Sequence, residues 1–300
     1  MDYMKPIQTT EVPTGENWFY EVKYDGFRAQ LQWKTNMLQL ISRNGHNITA
    51  LFPEIIAFCR EHQSKIQSLL PVTLDGELTV LNHTYQANFA LIQKRGRLKK
   101  TERIKQTARN RPASFLAFDI LQHQATSLKT SPFSERKEFL QDLFTVMGLA
   151  GGSNINRPLG FIPAHTSPDE LWKTVTENKA EGMIAKRKES IYHTGKQHHD
   201  WFKIKNWRQV EGFLTFYHVD NGYYTVHVYK DGDMRSVGKC RHGLSNEEEE
   251  TLKALFTTKG TKQKDGYMLP PAVCARINTL DLYKNELREP NFAKILPNHN

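Results

Sequence analysis

The stretch Glu21-Val22-Lys23-Tyr24-Asp25-Gly26-Phe27-Arg28 decides the reading of this chain. In an extended backbone successive side chains point to opposite faces, so Glu21, Lys23 and Asp25 share one face and Val22 and Tyr24 the other. Gly26 permits a turn or the close approach of a ligand. Alone, a lysine between two carboxylates is equally a solvated row of charges. Residues 17–33 read as one long extended segment, because Ala29, Leu31 and Trp33 alternate with Gln30 and Gln32 as in a half-buried strand. Met37–Ser42 reads as the next strand, and Asn44-Gly45 as a turn.

Similar groups recur further along. Trp201-Phe202-Lys203-Ile204-Lys205 sets Lys203 and Lys205 on one strand face, with Phe202 and Ile204 behind. Two ammonium groups so close repel. They suit an anion between them or an exposed sheet edge. Glu181-Gly182-Met183-Ile184-Ala185-Lys186 puts a carboxylate and a lysine at the ends of an apolar strand. Leu74-Asp75-Gly76-Glu77-Leu78 holds a carboxylate pair. Amines and guanidinium groups neutralise phosphate oxygens, and carboxylates hold a hard divalent cation. Together these are the ingredients of phosphoryl chemistry.

Around these motifs, Pro53 opens a helix with Ile55, Ile56, Cys59 and Ile66 on or near one face. Val72–Leu81 and Ala113–Leu121 are strand-like. Phe139, Leu140, Leu143, Phe144 and Met147 form a helical stripe after an N-cap at Ser134-Glu135. Ser167-Pro168-Asp169-Glu170 has the form of a capping box, starting a helix that buries Leu171 and Val175. After Trp207 the character changes. Residues 210–239 read as three strands joined at Asp220-Asn221-Gly222 and Lys230-Asp231-Gly232-Asp233. A helix over Asn246–Phe256 follows, with Glu247–Glu250 in its first turns. A strand meander plus one helix suits a small barrel. We place the boundary near 206.

The 300 residues are 38% hydrophobic before the 18 glycines are counted, enough for a sizeable core, and the length suits two domains. No apolar run approaches a membrane span and no secretory signal is visible. Cys59, Cys240 and Cys274 are too scattered for a disulfide framework or a paired-cysteine zinc site and suit a reducing cytosol. Lys and Arg number 41 against 32 Asp and Glu, a net charge of +9. That balance points to a polyanionic partner.

The motifs together resemble those of the ATP-dependent DNA ligases in the covalent nucleotidyltransferase superfamily. The signature is Lys23-Tyr24-Asp25-Gly26 with Arg28 after it. Ser42-Arg43-Asn44-Gly45, Asp75-Gly76-Glu77-Leu78, Phe115-Leu116-Ala117-Phe118-Asp119, Glu181–Lys186 and Lys203-Ile204-Lys205 follow in the family's order and approximate spacing. The tail Leu287-Arg288-Glu289-Pro290-Asn291-Phe292 looks like the end of the ligase module of bacterial ligase D.

The resemblance implies an α+β fold. Residues 1–206 would be an ATP-grasp-like nucleotidyltransferase (adenylation) domain of antiparallel sheets with flanking helices, and 207–300 an OB-fold barrel. Lys23 would attack the α-phosphate of ATP and carry AMP to the 5′-phosphate of a nicked or broken DNA duplex, after which the 3′-hydroxyl would displace AMP. Lys203 and Lys205 would hold the α-phosphate. Glu77 and Glu181 would lie near the ribose and a Mg2+ or Mn2+ ion. Phe118 and Ile184 would sandwich adenine, and the Glu21-Val22 region would meet its edge. Lys186 would join this nucleotide site, and Arg28 and Arg43 would handle phosphates. To react, Lys23 must lose its proton. Arg28, Lys203, Lys205 and a metal favour that, whereas Glu21 and Asp25 oppose it. The resemblance further implies a monomer in the cytoplasm at the nucleoid, away from membranes, with Ku and a polymerase module as candidate partners.

Three features fall outside the motifs. Lys94-Arg95-Gly96-Arg97-Leu98-Lys99-Lys100, with Arg103 and Lys105, could track a phosphate backbone. His193, His198 and His199 read as loop residues with no metal-site spacing. The R-x-D-K motif of many DNA ligases is missing; Arg276 and Asp281-Leu282-Tyr283-Lys284 lie where it would fall. An RNA ligase or capping-type enzyme would share the lysine chemistry, and a non-catalytic DNA-end-binding protein would share the charge.

Overall fold

The computed structural model describes residues 3–297 other than 153, 156, 284 and 285. They fall into two compact units, Met1–Asn206 and Trp207–Asn300. Lys284 lies outside the described residues.

The first unit is built on two sheets. One has the order β1 (Lys5–Gln8), β12 (Gln197–Lys205), β11 (Gly182–Arg187), β2 (Trp18–Lys23). The other runs β10 (Leu159–Phe161), β8 (Ser114–His123), β5 (Val72–Thr79), β3 (Phe27–Lys34), β4 (Met37–Ser42), with β9 (Thr126–Ser127) on β8. β6 (Leu81–His83) and β7 (Gln86–Ala87) form a small separate ladder. The sheets are mixed, not antiparallel throughout, because β1 runs parallel to β12 and β10 parallel to β8.

The extended segment expected over residues 17–33 is two strands in different sheets. Tyr24-Asp25-Gly26 carries the chain from β2 to β3. At Gly26 a Cβ would stand 2.0 Å from the Leu78 carbonyl oxygen, so only glycine lets this crossing lie against β5. Beyond it, Ala29, Leu31 and Trp33 are fully buried, and Gln30 is buried too. Ala29, Leu31 and Trp33 belong to a large core with Leu74, Phe115, Leu140 and Phe144.

The helices are α1 (Pro53–His62), α2 (Phe89–Gly96), α3 (Thr101–Asn110), α4 (Phe133–Val146) and α5 (Pro168–Glu177). Ile66 falls past α1, in the following 3-10 turn, but is buried all the same. α4 begins two residues earlier than an N-cap at Ser134 would set. Its N-cap is Pro132 with no side-chain cap, and Phe139 is exposed. The buried stripe runs instead through Phe133, Arg136, Lys137, Leu140, Leu143 and Phe144. α5 starts as its sequence suggests, with the Glu170 N–H donating to Ser167 Oγ and Pro168 in the first turn.

Two other expectations change. Arg95 is buried, and its guanidinium bonds Glu54 Oε1 at 2.8 Å and Oε2 at 3.0 Å. It is therefore withdrawn from the basic stretch, whose Lys94, Arg97, Lys99, Lys100, Arg103 and Lys105 are exposed. His198 and His199 lie on β12, not in a loop. His193 joins a cluster described below.

The second unit holds β13 (Arg208–His218), β14 (Tyr224–Lys230), β15 (Asp233–Cys240), β16 (Thr261–Gln263), β17 (Gly266–Thr279) and β20 (Asn291–Ile295) in one sheet, beside a short ladder of β18 (Leu282–Tyr283) and β19 (Glu286–Leu287). The β14–β15 turn has positive φ at both Asp231 and Gly232, which matches the right-handed twist of a two-residue hairpin. α6 (Asn246–Lys259) starts on a reciprocal capping box between Ser245 and Glu248. Arg276 pairs with Glu211 at 2.7 Å. Among the described residues no helix is long and apolar enough to cross a membrane.

Candidate active site

Strand register assembles the site. Lys23, Gly182 and Lys205 stand level with one another across β2, β11 and β12. Glu21, Ile184 and Lys203 form the next rung, and Phe19, Lys186 and Trp201 the third. Opposed residues share a face and alternate residues return to it, so all three rungs project to one side. The intervening rungs, Val22-Met183-Ile204 and Tyr20-Ala185-Phe202, project to the other side and join an apolar cluster with Leu171 and Val175. At Gly182 a Cβ would lie 2.1 Å from the Ile204 carbonyl oxygen, so the rung between Lys23 and Lys205 carries no side chain.

The second sheet brings the complementary groups. Arg28 on β3 stands opposite Glu77 on β5. Phe118 comes from β8, and Arg43 follows β4. A cavity of about 790 Å3 opens between the sheets, within the usual range of roughly 300–1,000 Å3 for ligand pockets. Glu21, Lys23, Ile184, Lys186 and Lys203 line it from the first sheet, and Arg28, Arg43, Glu77 and Phe118 from the second side. Val22 also borders it, but its side chain is buried in the apolar cluster, so it offers backbone only. Glu181 and Lys205 are not part of the cavity wall among the described residues. Glu181 reaches the site through Lys23, whose Nζ donates to its Oε2 at 2.6 Å.

The buried charges are paired. Glu21 is 1% exposed. Lys137 of α4 donates to its Oε1 and to the Ile162 carbonyl, and Lys186 pairs with its Oε2 at 2.6 Å. Burial brings the Lys186 pKa down to about 8, against the pull of Glu21. The Lys186 ammonium also sits 4.4 Å from the Trp201 ring centre and 4.6 Å from that of Phe118. The role of Lys137 was missed from sequence. The available signal was its position: residues 133, 137 and 140 repeat at helical spacing, so Lys137 falls on the stripe that α4 buries.

Arg28 has less freedom than the phosphate role expected of it. Nε donates to Asp75 Oδ1 at 3.1 Å and Nη2 to Oδ2 at 2.8 Å, Nη1 donates to Met4 O at 2.6 Å, and Nη2 also reaches Tyr192 Oη at 3.2 Å. Tyr192 Oη in turn donates to Asp75 Oδ2 at 2.7 Å. Burial disfavours the guanidinium charge, but the Asp75 carboxylate outweighs it and the Arg28 pKa is raised. Most of its five N–H donors are thus occupied within the protein.

Glu77 is the perturbed acid of the site. Burial pushes its carboxyl up to about 8, and Glu181 and Asp75 add to this while Lys23 and Arg28 oppose it. Glu77 therefore holds a proton at neutral pH. Glu77 and Glu181 would supply the hard oxygen donors that Mg2+ or Mn2+ takes, and a cation bound there would displace the Glu77 proton. The residues fit a divalent metal.

Residues 2–205 match the family model described as ATP dependent DNA ligase domain. Over 292 residues the chain is 34% identical to the bifunctional non-homologous end joining protein LigD of Bacillus subtilis, a match that covers 96% of this chain and 48% of that protein. The chain thus spans about half the length of that curated relative. In fold it is similar to the ligase domain of M. tuberculosis LigD, with a TM-score of 0.56 and 21% identity over 99% of this chain and 96% of that one. A Lig E DNA ligase gives a TM-score of 0.63 and 18% identity, with 99% of each chain covered. A lysine at the end of β2, bonded to Glu181 and facing Glu77 and Phe118 across a nucleotide-sized cavity, stands inside the matched segment, and the chain belongs to the ATP-dependent DNA ligase family.

Proposed function

We propose that this chain seals 5′-phosphate/3′-hydroxyl breaks in duplex DNA at the expense of ATP, through a covalent adenylate on Lys23. The observation that carries the reading is the Lys23 amine at the cavity wall, with Glu181 as its hydrogen-bond acceptor and Lys203 one rung away. Lys23 Nζ would attack the α-phosphorus of ATP, its proton passing to Glu181 and pyrophosphate leaving. The adenylate then moves to the 5′-phosphate of the break, restoring the lysine, and the 3′-hydroxyl displaces AMP.

Lys203 would hold the α-phosphate, with Lys205 beyond it. Phe118 and Ile184 would clasp the adenine, and Glu21, fixed by Lys137 and Lys186, would face its edge. Arg43 would meet a phosphate of the DNA end. Mg2+ or Mn2+ held by Glu77 and Glu181 would neutralise charge on the phosphates. Residues 1–206 would be the adenylation domain and 207–300 an OB-fold domain that closes on the DNA. The likeness to a non-homologous end joining protein supports a role in end joining; Ku and a polymerase module would be the partners there, and the chain would act as a monomer in the cytoplasm at the nucleoid.

The test is incubation with α-labelled ATP and Mg2+ or Mn2+, then addition of nicked 5′-phosphorylated duplex. Label that enters the protein and leaves as the nick closes supports the reading. Label that enters but is discharged only by RNA would move the substrate to RNA. Absence of label on protein free of bound AMP would sink the catalytic reading.

A further inference from the structure

His193, His198 and Asp200 come together outside the ligase site. His193-Thr194-Gly195-Lys196-Gln197-His198-His199-Asp200 turns back on itself: Gly195 has a φ of +76°, and the Lys196 N–H donates to His193 O at 3.4 Å. The turn brings His193 against β12. On β12 the pairing with β1 is interrupted between His198 and Phe202, so residues 199–201 bulge and Asp200 returns toward His198. Asp200 Oδ2 then lies 3.0 Å from His198 Nδ1 and 3.4 Å from His193 Nε2. One ligand atom from each residue falls within 4.8 Å of the other two.

We propose that these three side chains form a binding site for a borderline transition-metal ion, Zn2+ above all, separate from the Glu77–Glu181 pair. Two imidazoles and one carboxylate are a donor set that nitrogen-preferring ions take in preference to Mg2+. Ligands about 2.1 Å from a tetrahedral centre stand about 3.4 Å apart, close to the two distances found here. Arg187 Nε holds the other oxygen, Asp200 Oδ1, at 3.0 Å, which fixes the carboxylate with Oδ2 turned to both rings. The rings stack with centroids 3.7 Å apart and planes 11° from parallel. A metal lies in the plane of each imidazole it binds, so uptake requires the stack to open by rotation about the Cβ–Cγ bonds. Both rings are partly exposed, at 25% and 37%, and the rotation breaks the bond that His198 Nδ1 accepts from the Asp200 N–H at 3.3 Å. Bound metal would tie the turn to β12 upstream of Trp201 and Lys203 without touching Lys23.

The test titrates Zn2+ alone into the metal-free full chain by calorimetry, with excess Mg2+ present to fill the carboxylate pair. One Zn2+ per chain is expected, with Kd weakened roughly tenfold or more in His193→Gln and in His198→Gln. Circular dichroism reports whether each variant is folded, and Asp200→Asn replaces one that is not. Co2+ adds a readout that needs no variant: the intense visible absorption of a tetrahedral nitrogen–oxygen site. No Zn2+ uptake, uptake unchanged in the folded variants, or Co2+ without that absorption would each overturn the proposal.

Discussion

Lys23 Nζ donates to Glu181 Oε2 at 2.6 Å, across 158 positions of chain. Register makes the contact: Lys23 stands opposite Gly182, so the residue before that glycine flanks the lysine. The carboxylate holds the ammonium in place and is the nearest acceptor for its proton. Lys23→Ala is expected to abolish labelling of the protein by α-labelled ATP. Glu181→Gln keeps the shape but cannot take the proton, and should slow labelling by about 10²-fold or more. Persistent labelling of Lys23→Ala would remove that residue from its role.

Glu77 makes stability depend on pH. Its carboxyl is raised to about 8 in the folded chain from an ordinary 4.5. The folded state therefore holds this proton more tightly than the unfolded state. The resulting stability is fully present below about pH 4.5 and is lost as pH rises through about 8, at no more than about 1.4 kcal/mol per pH unit. Lys186, lowered to about 8 from 10.5, acts in the opposite sense and only above about pH 8. Without divalent metal, the urea midpoint of the wild type should fall relative to Glu77→Gln between pH 6.5 and 8. A flat difference there would contradict the raised pKa. Metal binding that displaces this proton should tighten over the same interval.

The legible part of the site is the part written in short motifs on strands. Period-2 alternation assigns Lys23, Glu21, Lys203 and Lys205 to strand faces, and the resemblance orders them. Four things were not legible, the first two because they depend on contacts distant in sequence. Alternation alone cannot tell one long strand from two, so the crossing at Gly26 shows only once β5 is packed against it. Arg28 and Arg95 read as free cations, because their partners Asp75 and Glu54 come from other elements. Lys137 lay on the buried stripe of an amphipathic helix, but a lysine there is ordinarily assigned to the helix edge. The His193–His198 spacing was visible, yet the bulge that returns Asp200 to them was not.

Lys137 should act on nucleotide affinity rather than on chemistry. It touches Glu21 and the Ile162 carbonyl, both at the cavity, and not Lys23. Lys137→Met leaves Glu21 with Lys186 alone and Ile162 without its donor. The KM for ATP in the labelling step should rise about tenfold, equivalent to ~1.4 kcal/mol, with kcat nearly unchanged. Lys137→Arg should restore part of the loss. A fall in kcat at constant KM would place Lys137 with the reacting groups.

Arg28→Ala should unfold the site before it reveals anything about phosphate. Asp75 is fully buried and is held by Arg28 and Tyr192. Removing one partner of a buried ion pair costs roughly 3–5 kcal/mol, because the remaining charge stays in the interior. Tyr192→Phe removes a single hydrogen bond to that carboxylate and should cost about 1–3 kcal/mol. Urea unfolding of the two variants should rank them in that order. Equal small losses would mean that Asp75 finds water when Arg28 is gone.

The exposed cations of α2, α3 and the residues between them offer the clearest test of how the chain meets DNA. Lys94, Arg97, Lys99 and Lys100 are exposed, whereas Arg95 among them is buried against Glu54. A phosphate contact releases counterions, so each one adds about 0.9 to the slope of log K against log salt. Changing those four residues to Gln should weaken DNA binding and flatten that slope by up to about 3–4 units, without altering the labelling of Lys23 by ATP. Arg95→Gln should behave in the opposite way, lowering the unfolding midpoint because Glu54 loses its partner while the salt slope stays near that of the wild type. If the fourfold variant keeps the full slope, the basic stretch faces solvent and the DNA backbone is held elsewhere.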